Sequence, residues 1–220
     1  MTTLKVLCLN CSLKQQPEPS ETEALARKVL RSFQQEGLDT EILRLSDYTI
    51  LPGTKSNMGL GDQWPEILDK IRACHILIIA TPIWMGHSAS YVQRIFERLD
   101  DIFYNPDLVD RSSGRYFTYN KVGAALVTGN EDGAHEAVRH ILWGLQEFGF
   151  SIPPNSNSYW VGVAGGQINY TEGGGEHHEY TNKNNAYLVM NSIHLARVLQ
   201  EQPFTTDFKT IEREAKKNGN

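Results

Sequence analysis

The most strongly apolar stretch of the chain is residues 75–81, HILIIAT, which is followed at residues 82–86 by PIWMG. A short apolar run rich in β-branched residues and bounded by Pro and Gly is typical of a strand buried on both faces. Four further runs have a β-prone pattern and are predicted as strands: residues 4–9, 40–45, 121–128 and 157–163.

Segments with helical periodicity separate these strands, since their apolar residues recur three or four positions apart. The predicted helices are residues 22–35, 64–74, 89–103, 134–148 and 185–200. Strands that alternate with helices predict an α/β fold with three layers, α/β/α, around a five-stranded parallel sheet of order 2-1-3-4-5. Ligands of such sheets bind at the carboxyl ends of the strands, where the strand order reverses. Three loops therefore become candidates for a site, after Leu9, Thr81 and Thr128.

The chain is predicted to form one domain over residues 1–202. A Gly-rich insertion at residues 164–184 is long for a loop in a compact domain, and such loops are usually functional or disordered. Residues 203–220 form a polar C-terminal tail, expected to be a surface arm or disordered.

Composition narrows the function classes. The 220 residues carry a net charge of −5, which argues against nucleic acid as a partner because phosphate binding needs excess Lys and Arg. The longest apolar run, residues 76–85, is about half a membrane span, so no membrane association is expected. Three cysteines indicate a reducing compartment and no disulfide scaffold. We therefore expect a cytoplasmic protein.

The first loop, residues 10–20, places Ser12 and Lys14 ahead of Ser20 and Thr22 at a helix start. Hydroxyls and backbone N–H groups at a helix N-terminus favour binding of an anion such as a phosphate monoester. The alternative is that Ser20 or Thr22 only caps the helix and Lys14 is solvated. The loop lacks both G-x-G-x-x-G and G-x-x-x-x-G-K-[ST], which argues against dinucleotide binding and P-loop hydrolysis.

The second loop, residues 82–88, presents Trp84 directly after a buried strand, which suits a flat ligand. Alternatively, Trp84 covers the end of the sheet. The third loop, residues 128–133, contains two glycines that let the backbone approach a ligand closely. Here the alternative is that Asp132 caps the following helix.

Taken in order, the segments NCSLK…SET, ATPIWMG and TGNEDG resemble the flavodoxin-like NAD(P)H-dependent FMN reductases and quinone reductases, whose pattern is G-S-x-R…S-x-T, then T-P-x-Y-x-G, then a Gly-rich loop. The resemblance spans roughly residues 4–162. This chain departs from the pattern in the first loop, where Asn10 and Cys11 replace a small Gly, Lys14 replaces Arg and residues 15–19 are inserted. A Lys ammonium holds phosphate with less geometric control than a guanidinium.

The resemblance implies a flavodoxin-like domain that binds FMN through all three loops. It implies that the phosphate is held by Ser12, Lys14, Ser20 and Thr22, with the backbone N–H of Glu21. It implies that the ribityl chain and isoalloxazine are lined by Pro82, Ile83, Trp84, Met85 and Gly86. It implies that the pyrimidine edge is reached by Thr128, Gly129, Asn130, Glu131, Asp132 and Gly133.

The function implied is an oxidoreductase that takes hydride from NAD(P)H and reduces a small planar acceptor such as a quinone or free flavin. Because the flavin carries this chemistry, no protein acid or base is required, and no catalytic residue is assigned. His87, beside the second loop, is expected to be a surface residue at a helix N-terminus, and the alternative is that it orients or protonates the acceptor. In this family, insertions like residues 164–184 often wall the flavin pocket or cross a subunit interface, which would place Tyr170 and Tyr180 near the substrate. The partner subunit in this family often helps to build the cavity that large planar substrates enter, so a homodimer or higher homo-oligomer is expected.

Two other function classes stay open. One is a flavodoxin-type electron carrier without turnover of its own, although such carriers are compact and lack a long insertion. The other is a flavin-free α/β interaction protein.

Two cysteine and histidine patterns are not expected to carry chemistry. Cys8 and Cys11 form C-x-x-C, but Cys8 lies in a buried alternating strand, so the two thiols should not face one another. Residues 52–62 contain no cysteine, so no iron–sulfur cluster is expected there. Residues 173–179, GGGEHHE, are expected to be a loop and not a metal site.

Overall fold

A computed structural model of the chain describes residues 3–219. Its strands are β1 (Lys5–Asn10), β2 (Asp39–Arg44), β3 (Ile76–Trp84), β4 (His87–Ser88), β5 (Val122–Gly129) and β6 (Asn157–Val161). Five of them form a parallel sheet of order β2-β1-β3-β5-β6. This confirms the predicted fold and strand order, with β5 and β6 as the fourth and fifth strands. The two-residue β4, which pairs antiparallel with the end of β3, was not predicted.

The helices are α1 (Glu21–Gln35), α2 (Trp64–Ala73), α3 (Ser90–Leu99), α4 (Ala134–Glu147), α5 (Glu179–Glu201) and α6 (Phe208–Asn218). Helices α1 to α5 cover the two faces of the sheet. Alternate residues of β1 show the division, since Leu7 and Leu9 pack in the core with α2, α3 and α4. Val6 and Cys8 pack in the opposite core with α1 and α5. The period of two along a strand therefore produces the three layers.

The same alternation separates the C-x-x-C cysteines. Cys8 belongs to the core on the α1 and α5 side, and Cys11 belongs to the core on the other side. Both thiols are buried and free, as is that of Cys74. Burial raises the pKa of all three thiols, that of Cys74 to about 12.

The C-terminal part differs from prediction in two ways. Helix α5 begins at Glu179 and not at residue 185, because its first turns, EYTNKN, are helical without an apolar stripe. The long loop thus comprises residues 162–178, with one 3₁₀ turn at Gly175–His177. The tail contains helix α6, whose Phe208 ring packs edge-on against Tyr116 and Tyr119, with centroids 5.0 and 5.3 Å apart.

A buried arginine holds the connection between β2 and α2. Arg98 of α3 donates two hydrogen bonds to the carboxylate of Asp62, at 2.6 and 3.0 Å, and both side chains are fully buried. It also donates to the carbonyl oxygens of Leu51 and Lys55, each at 2.8 Å. Burial alone would raise the pKa of Asp62, but the hydrogen bonds from Arg98 and three backbone N–H groups hold it well below its usual range.

Among residues 3–219, none of the helices combines the length and the apolar character needed to cross a membrane.

Candidate functional site

A cavity of about 210 Å³ lies at the carboxyl ends of the central strands. All three candidate loops reach it, as the switch-point rule for parallel sheets predicts. Its lining residues are Ser12, Leu13, Lys14, Ser20, Glu21, Thr22, Pro82, Ile83, Trp84, Thr128, Gly129, Asn130, Glu131, Trp160, Asn169 and Tyr170. The predicted residues outside this lining are Met85, Gly86, Asp132 and Gly133.

The first loop brings three buried hydroxyl groups to one wall of the cavity, those of Ser12, Ser20 and Thr22. Ser20 is also the N-cap of α1, because its Oγ accepts a hydrogen bond from the N–H of Glu23 at 3.1 Å. The capping and the site interpretations of Ser20 therefore both apply. The first-turn N–H groups of a helix have no acceptor within the helix, so this wall is rich in donors.

The shape of the first loop depends on residues that sequence reasoning did not single out. Arg44, at the end of β2, pairs with the carboxylate of Glu23 at 2.5 Å and donates to the carbonyl oxygen of Glu18 at 2.6 Å. Asn10 accepts from the N–H of Ser12 at 3.0 Å. Burial raises the pKa of Glu23, but Arg44 and Arg27 lower it further, so the carboxyl ends below its usual value. The buried ion pair of Arg44 and Glu23 therefore holds the first loop in place.

Lys14 lies at the rim of this wall. Its side chain is half exposed, and its Nζ is 3.6 Å from Glu18 Oε1. The counter-charge comes from the inserted segment 15–19. Lys14 therefore supplies a positive charge next to the hydroxyl groups that can turn toward an anion.

The second loop contributes Pro82, Ile83 and Trp84 to the cavity, and the Trp84 side chain stays 53% exposed. After Trp84 the chain reverses through Met85, at φ 49°, and returns as β4. Met85 and Gly86 therefore turn away from the cavity, and the Met85 side chain is exposed to solvent. Their N–H groups donate to the carboxylate of Glu131 at 3.2 and 3.3 Å, which ties the second loop to the third.

The third loop lines the cavity from Thr128 to Glu131. Gly133 lies outside and packs so closely on the second loop that a Cβ there would be 2.2 Å from the Gly86 oxygen. Gly133 itself, at φ 121°, is the N-cap of α4, without a side-chain cap. The alternative that Asp132 caps α4 is therefore not what the structure has.

The remaining wall comes from β6 and the long loop, through Trp160, Asn169 and Tyr170. The Tyr170 ring is buried edge-on against Trp160, with centroids 5.7 Å apart. Trp160 and Asn169 were missed by sequence reasoning. For Trp160, the sequence signal that could have indicated its position was the alternation in the predicted fifth strand, residues 157–163. Tyr180 lies elsewhere, with its hydroxyl 3.3 Å from that of Tyr159.

Hydrogen bonds fasten the long loop to the other two sides of the cavity. The N–H and the hydroxyl of Thr171 both donate to Glu21 Oε2, each at 2.7 Å. Asn130 donates to the carbonyl oxygen of Gly166 at 2.7 Å and accepts from the N–H of Gly165 at 2.8 Å. The long loop therefore closes the cavity between the first and third loops.

Histidines stay outside this site. His87 is largely exposed, with Nδ1 3.9 Å from Glu136. His178 donates to or accepts from the Thr181 hydroxyl at 2.8 Å, next to the start of α5. Within residues 3–219 we find no group of three His, Cys, Asp or Glu side chains arranged to hold a metal ion.

The chain resembles known proteins in its family pattern, in its overall sequence and in its fold. The family model described as NADPH-dependent FMN reductase matches residues 4–164. The 8-demethyl-8-aminoriboflavin-5'-phosphate synthase of Streptomyces davaonensis is 38% identical over 227 aligned residues, covering 97% of this chain and 85% of that protein. A crystal structure of RosB with bound 8-demethyl-8-formylriboflavin-5'-phosphate superposes with a TM-score of 0.88 at 36% identity, covering 99% of this chain and 88% of that one.

A more distant neighbour, the apo form of the NADH:FMN oxidoreductase EMOB, has a TM-score of 0.58 at 17% identity, covering 88% of this chain and 89% of that one. At that identity the likeness concerns the fold alone. The family model covers all three loops, and the match to the synthase extends over nearly the whole chain. This chain belongs to the NADPH-dependent FMN reductase family, a flavodoxin-like family of FMN-binding, oxidoreductase-type enzymes.

Proposed function

We propose that this protein binds riboflavin 5'-phosphate, FMN, in the cavity and uses it to pass electrons from NAD(P)H to a small planar acceptor. The observation that carries the proposal is the asymmetry of the cavity. One wall is a cluster of buried hydroxyl groups at the start of α1, and the other side ends on the exposed indole of Trp84. A molecule with a phosphate at one end and a flat ring at the other fits that division.

The donor wall fits a phosphate monoester. Ser12, Ser20 and Thr22 supply hydroxyl groups, and the N-terminus of α1 supplies backbone N–H groups and the positive end of the helix dipole. Lys14 adds a nearby charge. The buried Arg44–Glu23 pair keeps the loop in place before a ligand arrives, which reduces the ordering cost of binding.

The opposite end fits a partly exposed ring. Typical pockets for drug-sized ligands hold about 300–1,000 Å³, and the cavity here holds about 210 Å³. Part of an FMN molecule would therefore lie outside it, over Trp84. A second flat molecule can stack only on a ring that has one face open. The hydride donor and then the acceptor both need such an open face of the flavin.

Bound FMN would supply the hydride and electron chemistry. The protein's residues then have three tasks. Ser12, Ser20 and Thr22 hold the phosphate, Pro82 to Trp84 and Gly129 to Glu131 orient the ring system, and Trp160 with Tyr170 excludes water from the inner end. None of these tasks requires a side chain that gains or loses a proton.

A second candidate function is chemistry on the flavin ring itself, with riboflavin 5'-phosphate as substrate. It is favoured by the extent of the match to the 8-demethyl-8-aminoriboflavin-5'-phosphate synthase. That match covers 97% of this chain and so includes the long loop and α5, whereas the family model ends at residue 164. The same donor wall would hold the phosphate of the substrate.

One experiment separates these functions from each other and from a carrier or a flavin-free protein. Purified protein is loaded with FMN, reduced anaerobically with NADH or NADPH, and offered a quinone, free flavin or ferricyanide, while the flavin is followed by absorbance and mass. We expect rapid bleaching and multiple turnovers with unchanged flavin mass. In a parallel incubation in air with an amine donor and without NAD(P)H, a change in flavin mass would favour the second candidate. Slow bleaching without turnover would indicate a carrier, and absence of FMN binding would refute both proposals.

We further propose that the protein is a homodimer in the cytoplasm. Support for association comes from Trp84 and Met85, two adjacent exposed apolar side chains at the rim of the cavity that a partner subunit would border. Light scattering coupled to size exclusion tests the dimer, and a monomer at micromolar concentration would contradict it.

A further inference from the structure

The hydroxyl of Tyr170 is the feature of the cavity that the contacts within the protein leave unexplained. Tyr170 is fully buried, yet its hydroxyl has no hydrogen-bond partner among residues 3–219. Buried polar groups are nearly always paired, and leaving one unpaired costs free energy. Because Tyr170 also lines the cavity, a bound ligand is a natural partner for the hydroxyl.

The position of the ring is strongly constrained. It packs tightly on Gly175, where a Cβ would be 2.2 Å from the Tyr170 ring, and it lies nearly perpendicular to the ring of Trp160, with an interplanar angle of 87°. The next residue, Thr171, is fastened to Glu21 in the first turn of α1 by two hydrogen bonds of 2.7 Å. Tyr170 is thus held against the helix whose N-terminus forms the donor wall.

The charges around the hydroxyl favour its keeping the proton. Burial raises the pKa of Tyr170 to about 12, with contributions from Glu176 and Glu21 and an opposing one from Arg31. At neutral pH the group is therefore a donor that can pair with an anionic oxygen. A hydrogen bond to an ionised oxygen is roughly twice as strong as one between neutral groups.

We propose that Tyr170 is a ligand-binding residue that donates its hydroxyl hydrogen to an oxygen of the flavin 5'-phosphate. This inference rests on the proposed binding of FMN. It makes the long loop the second half of the phosphate site, facing the hydroxyl groups of the first loop. Tyr170 thereby discriminates a phosphorylated flavin from the free vitamin.

The test compares FMN with riboflavin, which lacks the phosphate, in flavin-fluorescence titrations of the full-length wild type and of Tyr170→Phe. We expect the variant to bind FMN about tenfold more weakly or worse, since a charge-assisted bond is lost. Its affinity for riboflavin should stay within about twofold of wild type, because the ring and its packing are unchanged. Tyr180→Phe is the matched control, and should leave both affinities unchanged because Tyr180 does not line the cavity.

Two outcomes would overturn the inference: unchanged FMN affinity in Tyr170→Phe, or equal losses for FMN and riboflavin. Failure of the wild type to bind FMN would instead refute the proposed function. If Tyr170→Phe does not fold, as judged by circular dichroism, Thr171→Val provides the second variant. It removes one of the two bonds to Glu21, and we expect a smaller loss of affinity confined again to FMN.

Discussion

The hydroxyl of Thr22, in the first turn of α1, lies 2.7 Å from the hydroxyl of Thr128, near the end of β5. Both side chains are buried, and both line the cavity. The first and third loops therefore meet through a single hydrogen bond between residues far apart in the chain. One of these hydroxyl groups donates a hydrogen bond to the other. The accepting hydroxyl group therefore still has its own hydrogen to donate to a ligand.

Replacing either threonine by valine tests this contact. We expect Thr22→Val and Thr128→Val each to lower the free energy of unfolding by about 1–3 kcal/mol, because the remaining hydroxyl is buried without its partner. The double variant should lose less than the sum of the two, since both partners are then apolar. Urea denaturation of the four proteins in a double-mutant cycle measures the coupling, and strict additivity would contradict a direct bond.

The buried pair of Arg98 and Asp62 should dominate the stability of the segment between β2 and α2. Asp62→Asn leaves the buried guanidinium without a counter-charge, and we expect a loss of about 3–5 kcal/mol in the free energy of unfolding. The matched control is Glu41→Gln, which breaks the largely exposed pair of Glu41 and Lys70. That change should cost less than about 1 kcal/mol. Similar losses in urea denaturation would show that burial does not distinguish the two pairs.

The same carboxylate, with Glu23, predicts the acid side of the stability profile. The pKa values of Asp62 and Glu23 are lowered in the folded protein. Their stabilising contribution is therefore fully present above their unfolded pKa of about 4 and is lost as the pH falls through the folded values. We expect the melting temperature to fall steeply below about pH 4. Asp62→Asn should have a shallower acid slope, and an unchanged slope would argue against this origin.

Gly133 should be intolerant of a side chain. Alanine there would bring a Cβ within 2.2 Å of the Gly86 oxygen at φ 121°, so the second and third loops would have to separate. We expect weaker FMN binding and a clear loss of stability. Gly37→Ala is the control, because φ is again positive, at 80°, with no atom within 4 Å of the added Cβ. It should cost about 1 kcal/mol and leave FMN binding unchanged.

Thiol accessibility gives a test that needs no variant. Cys8, Cys11 and Cys74 are buried, and burial raises the pKa of each, so the thiolate that reacts with disulfide reagents is scarce. We expect no reaction with Ellman's reagent in the native protein within minutes, and three equivalents in denaturant. Rapid reaction of one or two thiols in the native state would show that at least one of the three cysteines is accessible, contrary to this expectation.

The agreement between sequence and structure is best where local rules apply. Residues 82–84 and 128–131 line the cavity because parallel strands place their carboxyl ends at one edge, and that inference needs only the strand pattern. Met85 and Gly86 escaped it because the reversal into β4 turns them away from the cavity, and Met-Gly is not one of the Asn-Gly or Asp-Gly pairs that most strongly signal so short a hairpin.

The rest of the site depends on tertiary contacts. Trp160 reaches the cavity because it lies on the face of β6 that borders the cavity. Asn169 reaches it because the nearby Thr171 is hydrogen-bonded to Glu21. Arg44 lies within the predicted strand 40–45, and its role in shaping the first loop depends on its buried partner Glu23. The helical first turns of α5 lacked periodicity altogether. For Asn169 and Arg44 the deciding neighbour is distant in sequence, so the local pattern carries no signal for them.

The contact of Thr171 with Glu21 has a kinetic consequence. FMN bound in the cavity would lie against the long loop, which these two hydrogen bonds fasten to α1, so we expect them to lower the rate of flavin dissociation. A prosthetic group must stay through many catalytic cycles, whereas a molecule converted and released must depart in each one. We expect these two hydrogen bonds to influence how long the flavin stays bound. That residence time decides whether the protein carries its flavin permanently or exchanges it.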